Sequence, residues 1–375
     1  MRNVENNLKN WLVNIKNTDL FFIRVTSALI IIGLVFAFSS STYESYRLTH
    51  SFWLLGFKQF CAFVIGFILL VFFWNLDYKF WHRTTWLIAF IALVLMSIVL
   101  IPGIGKSSGG STRWLDLGFF QFQPAEVAKL AVILLLTRML ARNKLFERKT
   151  LYYLIFSFIL IAVVLGQPDL GSAAILVLLL LQLLFISDCP LWILGLGTTI
   201  IGSVGYFKIF STPYQLSRIE AWLNPYKDPS NKGYNLIQSQ YAFGLGNFWG
   251  VGLGNSMQKQ GFLPIPHADF IFAIVAEEIG LIGVTAILVL FLTWALRGLY
   301  LINKIENQYG KLLGTAIILI IITQTLINLA VSVGLLPVTG VTLPFFSCGG
   351  TSLIVTLAMC GILFNILSRK NQSAN

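Results

Sequence analysis

Lys259, His267, Asp269, Glu277 and Glu278 crowd the stretch 252–280, GLGNSMQKQGFLPIPHADFIFAIVAEEIG, where a polar lead-in runs straight into an apolar helix. A charge held in lipid costs at least about 2.5–3.5 kcal/mol on insertion scales, so a sequence that keeps several marks a functional site. Asp269 stands at the water–lipid boundary, where a carboxylate serves as a general base, as a metal ligand or simply as a helix N-cap. His267 either orients a ligand or is solvated. Glu277 and Glu278 lie about two turns deeper and face directions about 100° apart. At most one of them shares the face of Asp269, and the other needs a partner, with a buried ion pair the expected form.

Three smaller clusters carry further chemistry. Glu126 and Lys129, in QPAEVAKLA, are spaced i, i+3. They read as an intrahelical pair that neutralises both charges, or as a lysine held ready for phosphate. Arg113 offers a planar fork for phosphate, and Trp114 beside it suits the headgroup belt. Asp169, in QPDLG, is either a turn residue or a second carboxylate of the same cavity. Ser347, Gly349 and Gly350, in FFSCGGTS, open a helix whose exposed N–H groups could take an anion. No zinc-type ligand spacing, P-loop or dinucleotide fingerprint occurs.

The elements that position these groups are membrane helices. Hydrophobic residues make up 57% of the 375 residues and charged residues 11%, against roughly 25% charged in a soluble domain. Apolar runs of spanning length fall near 20–38, 53–74, 84–101, 123–140, 151–166, 170–186, 191–210, 270–296, 312–335 and 350–367. The fold class is therefore an all-α polytopic membrane protein of ten helices. One membrane domain covers 1–375, with polar tails at 1–19 and 368–375. With the N-terminus inside, the inner segments hold 15 Lys and Arg and the outer loops seven, so both termini are expected in the cytoplasm. The net charge of +11 follows from that topology, and nucleic acid is not an expected partner. The four cysteines give no disulfide framework. Outside lie the Gly-rich 102–122, the segment 336–350, and a long aromatic segment, 211–269, expected to fold back on the bundle.

Together these segments resemble the SEDS (shape, elongation, division and sporulation) membrane proteins of bacteria. The resemblance rests on STRW at 111–114, FQPAEVAKLA at 122–131, QPDLGSA at 167–173 and NPYKDPSNKGYNLIQSQYAFGLGNFWGVGLGNS at 224–256. It continues with LPIPHADFIFAIVAEEIG at 263–280 and GLLPVTGVTLPFFSCGGTS at 334–352. VLIPGIG at 99–105, GNSMQK at 254–259 and GVTLPFFS at 340–347 look more like the division branch, FtsW, than the elongation branch, RodA.

The resemblance implies a ten-helix fold in the bacterial inner membrane, at the division site. It also implies a glycosyltransferase that polymerises lipid II, a disaccharide-pentapeptide on undecaprenyl diphosphate. Expected partners are a class B penicillin-binding transpeptidase and other division proteins. The family's catalytic carboxylate falls on Asp269. Arg113, Lys129, Glu126, Asp169, Lys259, His267, Glu278, Ser347, Gly349 and Gly350 are the expected substrate contacts, with a divalent cation, Mg or Mn, as a candidate cofactor. Three departures stand out: Ile265 and Pro266 replace the family's Glu-Ala, Thr112 precedes Arg113 where a second Arg is common, and Cys348 replaces a Tyr. A lipid II transporter would also need a polar cavity in a bundle, and a scaffold that recruits division proteins needs neither. Transport rests on Glu126, Lys129, Glu277 and Glu278, polymerisation on Asp269.

Overall fold

The structure, a computed structural model, describes residues 18–108, 111–116, 118, 120–142, 147–187, 189–264 and 266–369. Most of the N-terminal tail, residues 370–375 and the Ile265 replacement lie outside the described residues. Within them, each expected apolar run forms one helix: α1 (Leu20–Thr49), α2 (Leu54–Asn75), α3 (Lys79–Val99), α4 (Pro124–Leu140), α5 (Arg148–Gly166), α6 (Leu170–Ile186), α7 (Leu191–Ser211), α10 (Ile271–Ile302), α11 (Gln308–Val333) and α12 (Gly350–Ser368). Two short helices, α8 (Pro213–Leu223) and α9 (Tyr234–Gly246), lie in the long segment between α7 and α10. Seven helices are both long and apolar enough to cross a membrane, and 150–166 and 170–186 are shorter apolar helices.

The core sits on α4 and α12. α4 buries 14 of its residues, including Glu126 and Lys129. α12 lies along α2, where Gly361 lets the helices touch: a Cβ there would come within 2.4 Å of the Leu70 carbonyl oxygen. Close approach through small residues is how helices pair when lipid removes the hydrophobic drive. α7 is the exception, since none of its residues is buried.

Three features go beyond the helix pattern. First, 105–122 carries an antiparallel sheet, β1 (Gly105–Ser108), β2 (Ser111–Asp116) and β3 (Gln121–Phe122), in the order β1-β2-β3. Lys106 faces Trp114, and Leu115 faces Phe122. The sheet caps the α4 end of the bundle and turns Arg113 inward, leaving it 8% exposed. Second, α10 is broken at Gly280, whose φ is 64° and ψ −171°. That region is essentially restricted to glycine.

Third, the long segment does not stay in water. Its 247–252 stretch dips beside the break and satisfies the backbone groups the break frees. Val251 N donates to Glu277 O (2.9 Å) and Gly252 N to Glu278 O (3.0 Å), while Leu281 N donates to Asn247 O (2.9 Å) and Ile282 N to Phe248 O (3.2 Å). Irregular backbone at membrane depth persists only where protein replaces the lost hydrogen bonds in this way.

Gly280→Ala should therefore unseat the strap. A Cβ would lie 2.3 Å from Gly250 N, and the backbone conformation alone costs about 1–3 kcal/mol. The expected outcome is a lower melting temperature and faster proteolysis within 247–263. A variant as stable and protease-resistant as wild type would show that the strap is not seated on the break.

Candidate active site

Asp269 lies on the strand of chain that enters α10. It is not the cap: the N-cap is Phe270, and no side chain caps that helix end. Among the described residues, no hydrogen bond reaches the Asp269 carboxylate. Its surroundings are held through the backbone instead. Asn328 Nδ2 donates to Asp269 O (2.9 Å) and Val341 O (2.7 Å), and the Ser347 hydroxyl donates to Ala268 O (2.6 Å). Cys348 N donates to His267 O at 2.8 Å. α11 and the 335–349 segment thus hold the residue in place and leave its carboxylate free.

Two guanidiniums and a second carboxylate share this recess. Arg113 Nη1 stands 3.5 Å from Asp169 Oδ1, and its Nη2 donates to Pro168 O at 2.6 Å. Asp169 also caps α6, accepting from the Ser172 amide (3.0 Å) and hydroxyl (2.9 Å). Asp169 is thus a helix N-cap rather than a turn residue, and it also stands against Arg113. A Cβ placed on Gly340 would meet Arg113 Nη1 at 3.4 Å and Asp269 Oδ2 at 3.7 Å, so this glycine is the floor between them. Arg218 reaches in from α8, donates to Val338 O at 3.0 Å and lies 4.6 Å from the Tyr214 ring centroid.

Burial raises the Asp269 carboxyl above its ordinary value, while Arg218 and then Arg113 oppose the shift and Asp169 adds to it. Burial likewise draws Arg218 below its usual value. It also lowers His267, against a weaker pull from Glu44. Arg113 Nε, His267 Nδ1, Asn328 Oδ1 and Thr339 Oγ1 are buried without a partner. Buried polar atoms are normally paired, so the unpartnered Arg113 Nε, on a guanidinium that shares Gly340 with the Asp269 carboxylate, marks a place that a polar ligand completes.

The remaining expected contacts are sealed away from this recess. Lys129 Nζ donates to Glu126 Oε1 (2.8 Å) and Gln324 Oε1 (2.9 Å), and the lysine is 2% exposed. Gln324 Nε2 passes the chain on to Thr342 O (2.9 Å), and the Thr342 hydroxyl meets that of Ser352 (2.9 Å). The pair joins α4, α11 and α12, and Lys129 gives two of its three donors to protein. Lys259 Nζ donates to Glu278 Oε1 (2.6 Å) and to Ser39 Oγ (2.9 Å). Glu277 accepts from the Ser256 hydroxyl and from Met257 N (2.8 Å).

These two glutamates pin the 256–259 stretch to α10, and Lys259 carries the link on to Ser39 of α1. Ser347 ties the 335–349 segment to Ala268 and also accepts from Leu343 N (2.7 Å). Gly349 and Gly350 form no open anion nest. A Cβ on Gly350 would strike the Phe120 ring at 2.4 Å, and Thr351 is bonded to the β3 strand through Gln121 O (3.1 Å).

Arg218, Asn328 and Gly340 were not singled out in the sequence. Arg218 had a signal available, as a lone arginine on a short amphipathic helix in a segment expected to fold back.

Residues 19–372 match the family model of FtsW, RodA and SpoVE, described as "Cell cycle protein". The chain belongs to this family. It is 38% identical to stage V sporulation protein E of Bacillus subtilis, over 93% of this chain and 96% of that one. It is 36% identical to the probable peptidoglycan glycosyltransferase FtsW of Geobacter metallireducens, over 97% and 98%. Among solved structures it is similar to a chain of a peptidoglycan synthase complex, determined in a study of coordinated polymerization and crosslinking. That match has a TM-score of 0.78 at 26% identity, covering 95% of this chain and 99% of that one. Thermus thermophilus rod shape determining protein RodA shares the fold, with a TM-score of 0.69 at 24% identity over 94% and 97%.

Glu126→Ala should cost about 3–5 kcal/mol, because Lys129 is left charged and unpaired in the core. The double replacement Glu126→Gln, Lys129→Met should recover most of it. Membrane accumulation and melting temperature of the purified variants check both. A single variant as stable as wild type would remove the pair from the framework.

Proposed function

We propose that the chain is a peptidoglycan glycosyltransferase that polymerises lipid II, with Asp269 as general base. The observation that carries this reading is the carboxylate of Asp269, which takes no hydrogen bond among the described residues and has the guanidiniums of Arg218 and Arg113 and the carboxylate of Asp169 acting on it. The names of the FtsW relatives and the synthase complex support it.

An acceptor sugar hydroxyl gives its proton to Asp269 as its oxygen bonds to the donor's anomeric carbon. The bond from that carbon to the diphosphate oxygen breaks, and undecaprenyl diphosphate leaves. One displacement inverts the centre and needs no covalent nucleophile. A base works best with a pKa near the operating pH, and burial moves Asp269 in that direction. Arg113 and Arg218 neutralise the departing diphosphate through charge-assisted hydrogen bonds.

Among the described residues, no three His, Cys, Asp or Glu side chains group to hold a metal ion. The two carboxylates of the recess stand against guanidiniums. This donor set does not fit a cation held by the protein, and the arginines take the role of charge neutralisation.

The transporter reading is disfavoured because its intramembrane charges, Glu126, Lys129, Glu277 and Glu278, are locked in short bonds to protein. A class B penicillin-binding transpeptidase is the proposed partner, supplying the crosslinking half of the synthase, and the division site the proposed location.

Purified lipid II should be polymerised by the purified chain, and faster when a class B transpeptidase is present. The rate should fall as pH drops through the Asp269 pKa, which lies above the ordinary carboxylate value. Arg218→Gln removes the larger of the two charges that favour the carboxylate, so the acid limb of kcat/KM should move to higher pH. No polymer under either condition would overturn the activity. An acid limb unmoved in Arg218→Gln would uncouple Arg218 from Asp269.

A further inference from the structure

The end of the bundle opposite Asp269 holds a second concentration of cations, between α3, α4 and α5. Arg138 lies in the last turn of α4 and Arg142 just beyond it. His82 and Arg83 stand in the first turns of α3, and Arg138, Arg142 and Arg83 all act electrostatically on His82. The guanidinium carbons of Arg138 and Arg142 each lie 5.7 Å from the centroid of one ring, that of Tyr153 on α5. Tyr153 stacks on Trp86 at 5.0 Å, and Trp86 meets Phe156 edge-on at 5.5 Å.

Two observations point to a missing anion. Among the described residues, no carboxylate forms an ion pair with Arg83, Arg138 or Arg142, whereas Arg297 and Arg369 at the same end pair with Asp19 and Asp77. Arg138 Nε is also buried with no hydrogen-bond partner. Two guanidiniums held over one ring repel each other, and among the described residues no carboxylate pairs with either.

A third observation gives the class of ligand. A groove of about 460 Å³ opens beside the arginines, lined by Trp86, Arg142, Tyr152, Tyr153, Ile155 and Phe156. Trp86 is 38% exposed, Tyr152 53% and Ile155 46%. A soluble anion has no use for such an apolar wall. The guanidinium fork suits a phosphodiester, tryptophan and tyrosine mark headgroup depth, and Ile155 and Phe156 give the groove an apolar wall. Basic pockets between membrane helices on the cytoplasmic side bind anionic headgroups in this manner, and the Lys/Arg bias assigns this end to that side.

We propose that this groove binds one anionic glycerophospholipid. Its phosphodiester sits between Arg138 and Arg142, and an acyl chain lies along Trp86, Ile155 and Phe156.

Native mass spectrometry of the detergent-purified full chain tests this. The protein is offered equal amounts of phosphatidylglycerol and phosphatidylcholine with the same chains. Wild type should retain the anionic lipid preferentially. Arg142→Gln should lower retention about fivefold, and Arg138→Gln with Arg142→Gln about 25-fold. Arg142 is exposed, so the single variant tests the site even if the double fails to fold. Lys304→Gln with Lys311→Gln removes two charges elsewhere at that end and should retain the lipid.

Equal retention of both lipids by wild type would overturn the site. So would equal losses in the lysine variant, or displacement by millimolar inorganic phosphate alone. A preference for undecaprenyl phosphate over phosphatidylglycerol would also overturn it, giving the groove to the carrier lipid.

Discussion

A charge carried into a bilayer must be compensated inside the protein, and this constraint orders the molecule. Glu126 and Lys129 compensate each other and tie α4 to α11 and α12 through Gln324 and Thr342. Glu278 and Lys259 compensate each other and tie the strap to α1 through Ser39. Glu277 is satisfied by two amides and a hydroxyl of residues 256–258. Each pair spends its charge on the framework. Asp269 differs: the backbone of 267–269 is held by Cys348, Ser347 and Asn328, while among the described residues its carboxylate accepts no hydrogen bond. Framework and reactive group are separated by whether the charge is used up.

The same constraint applies to the backbone. A break such as that at Gly280 exposes N–H and C=O groups that lipid cannot satisfy. The strap 247–252 meets them, and in doing so it becomes fixed relative to α10. The chain then runs from the strap through Lys259 to Asp269. The position of the proposed base therefore depends on a glycine about 16 Å further along the helix at 1.5 Å per residue. Arg113 depends in the same way on the small sheet, and Arg218 on α8.

The ten long helices were legible because apolar runs of spanning length permit little else. The Glu126–Lys129 pair was legible because i, i+3 spacing on a helix fixes the contact. Asp169 could be placed beside a turn, though not beside Arg113, 56 positions earlier. Arg218 was missed although its short helix is amphipathic, because the sequence does not say that this helix packs against the 335–349 segment, where Arg218 meets Val338 O. The Lys259–Glu278 pair was hidden because a glycine within a helical run is tolerated, so nothing marked Gly280 as a break. Ser347, Gly349 and Gly350 resembled an anion site because an open helix N-terminus and a covered one have the same sequence. The Phe120 ring decides between them, and it arrives from a distant segment.

Asp269→Asn in the purified full chain tests the proposed mechanism most directly. Polymerisation of purified lipid II is measured beside wild type at equal protein level, together with the melting temperature. Asparagine keeps the size of the side chain but cannot accept the proton, so the rate should fall about 10²–10⁴-fold. The melting temperature should hold, because among the described residues the carboxylate makes no hydrogen bond. Polymerisation near the wild-type rate would contradict a general base at Asp269 and return the search to Asp169.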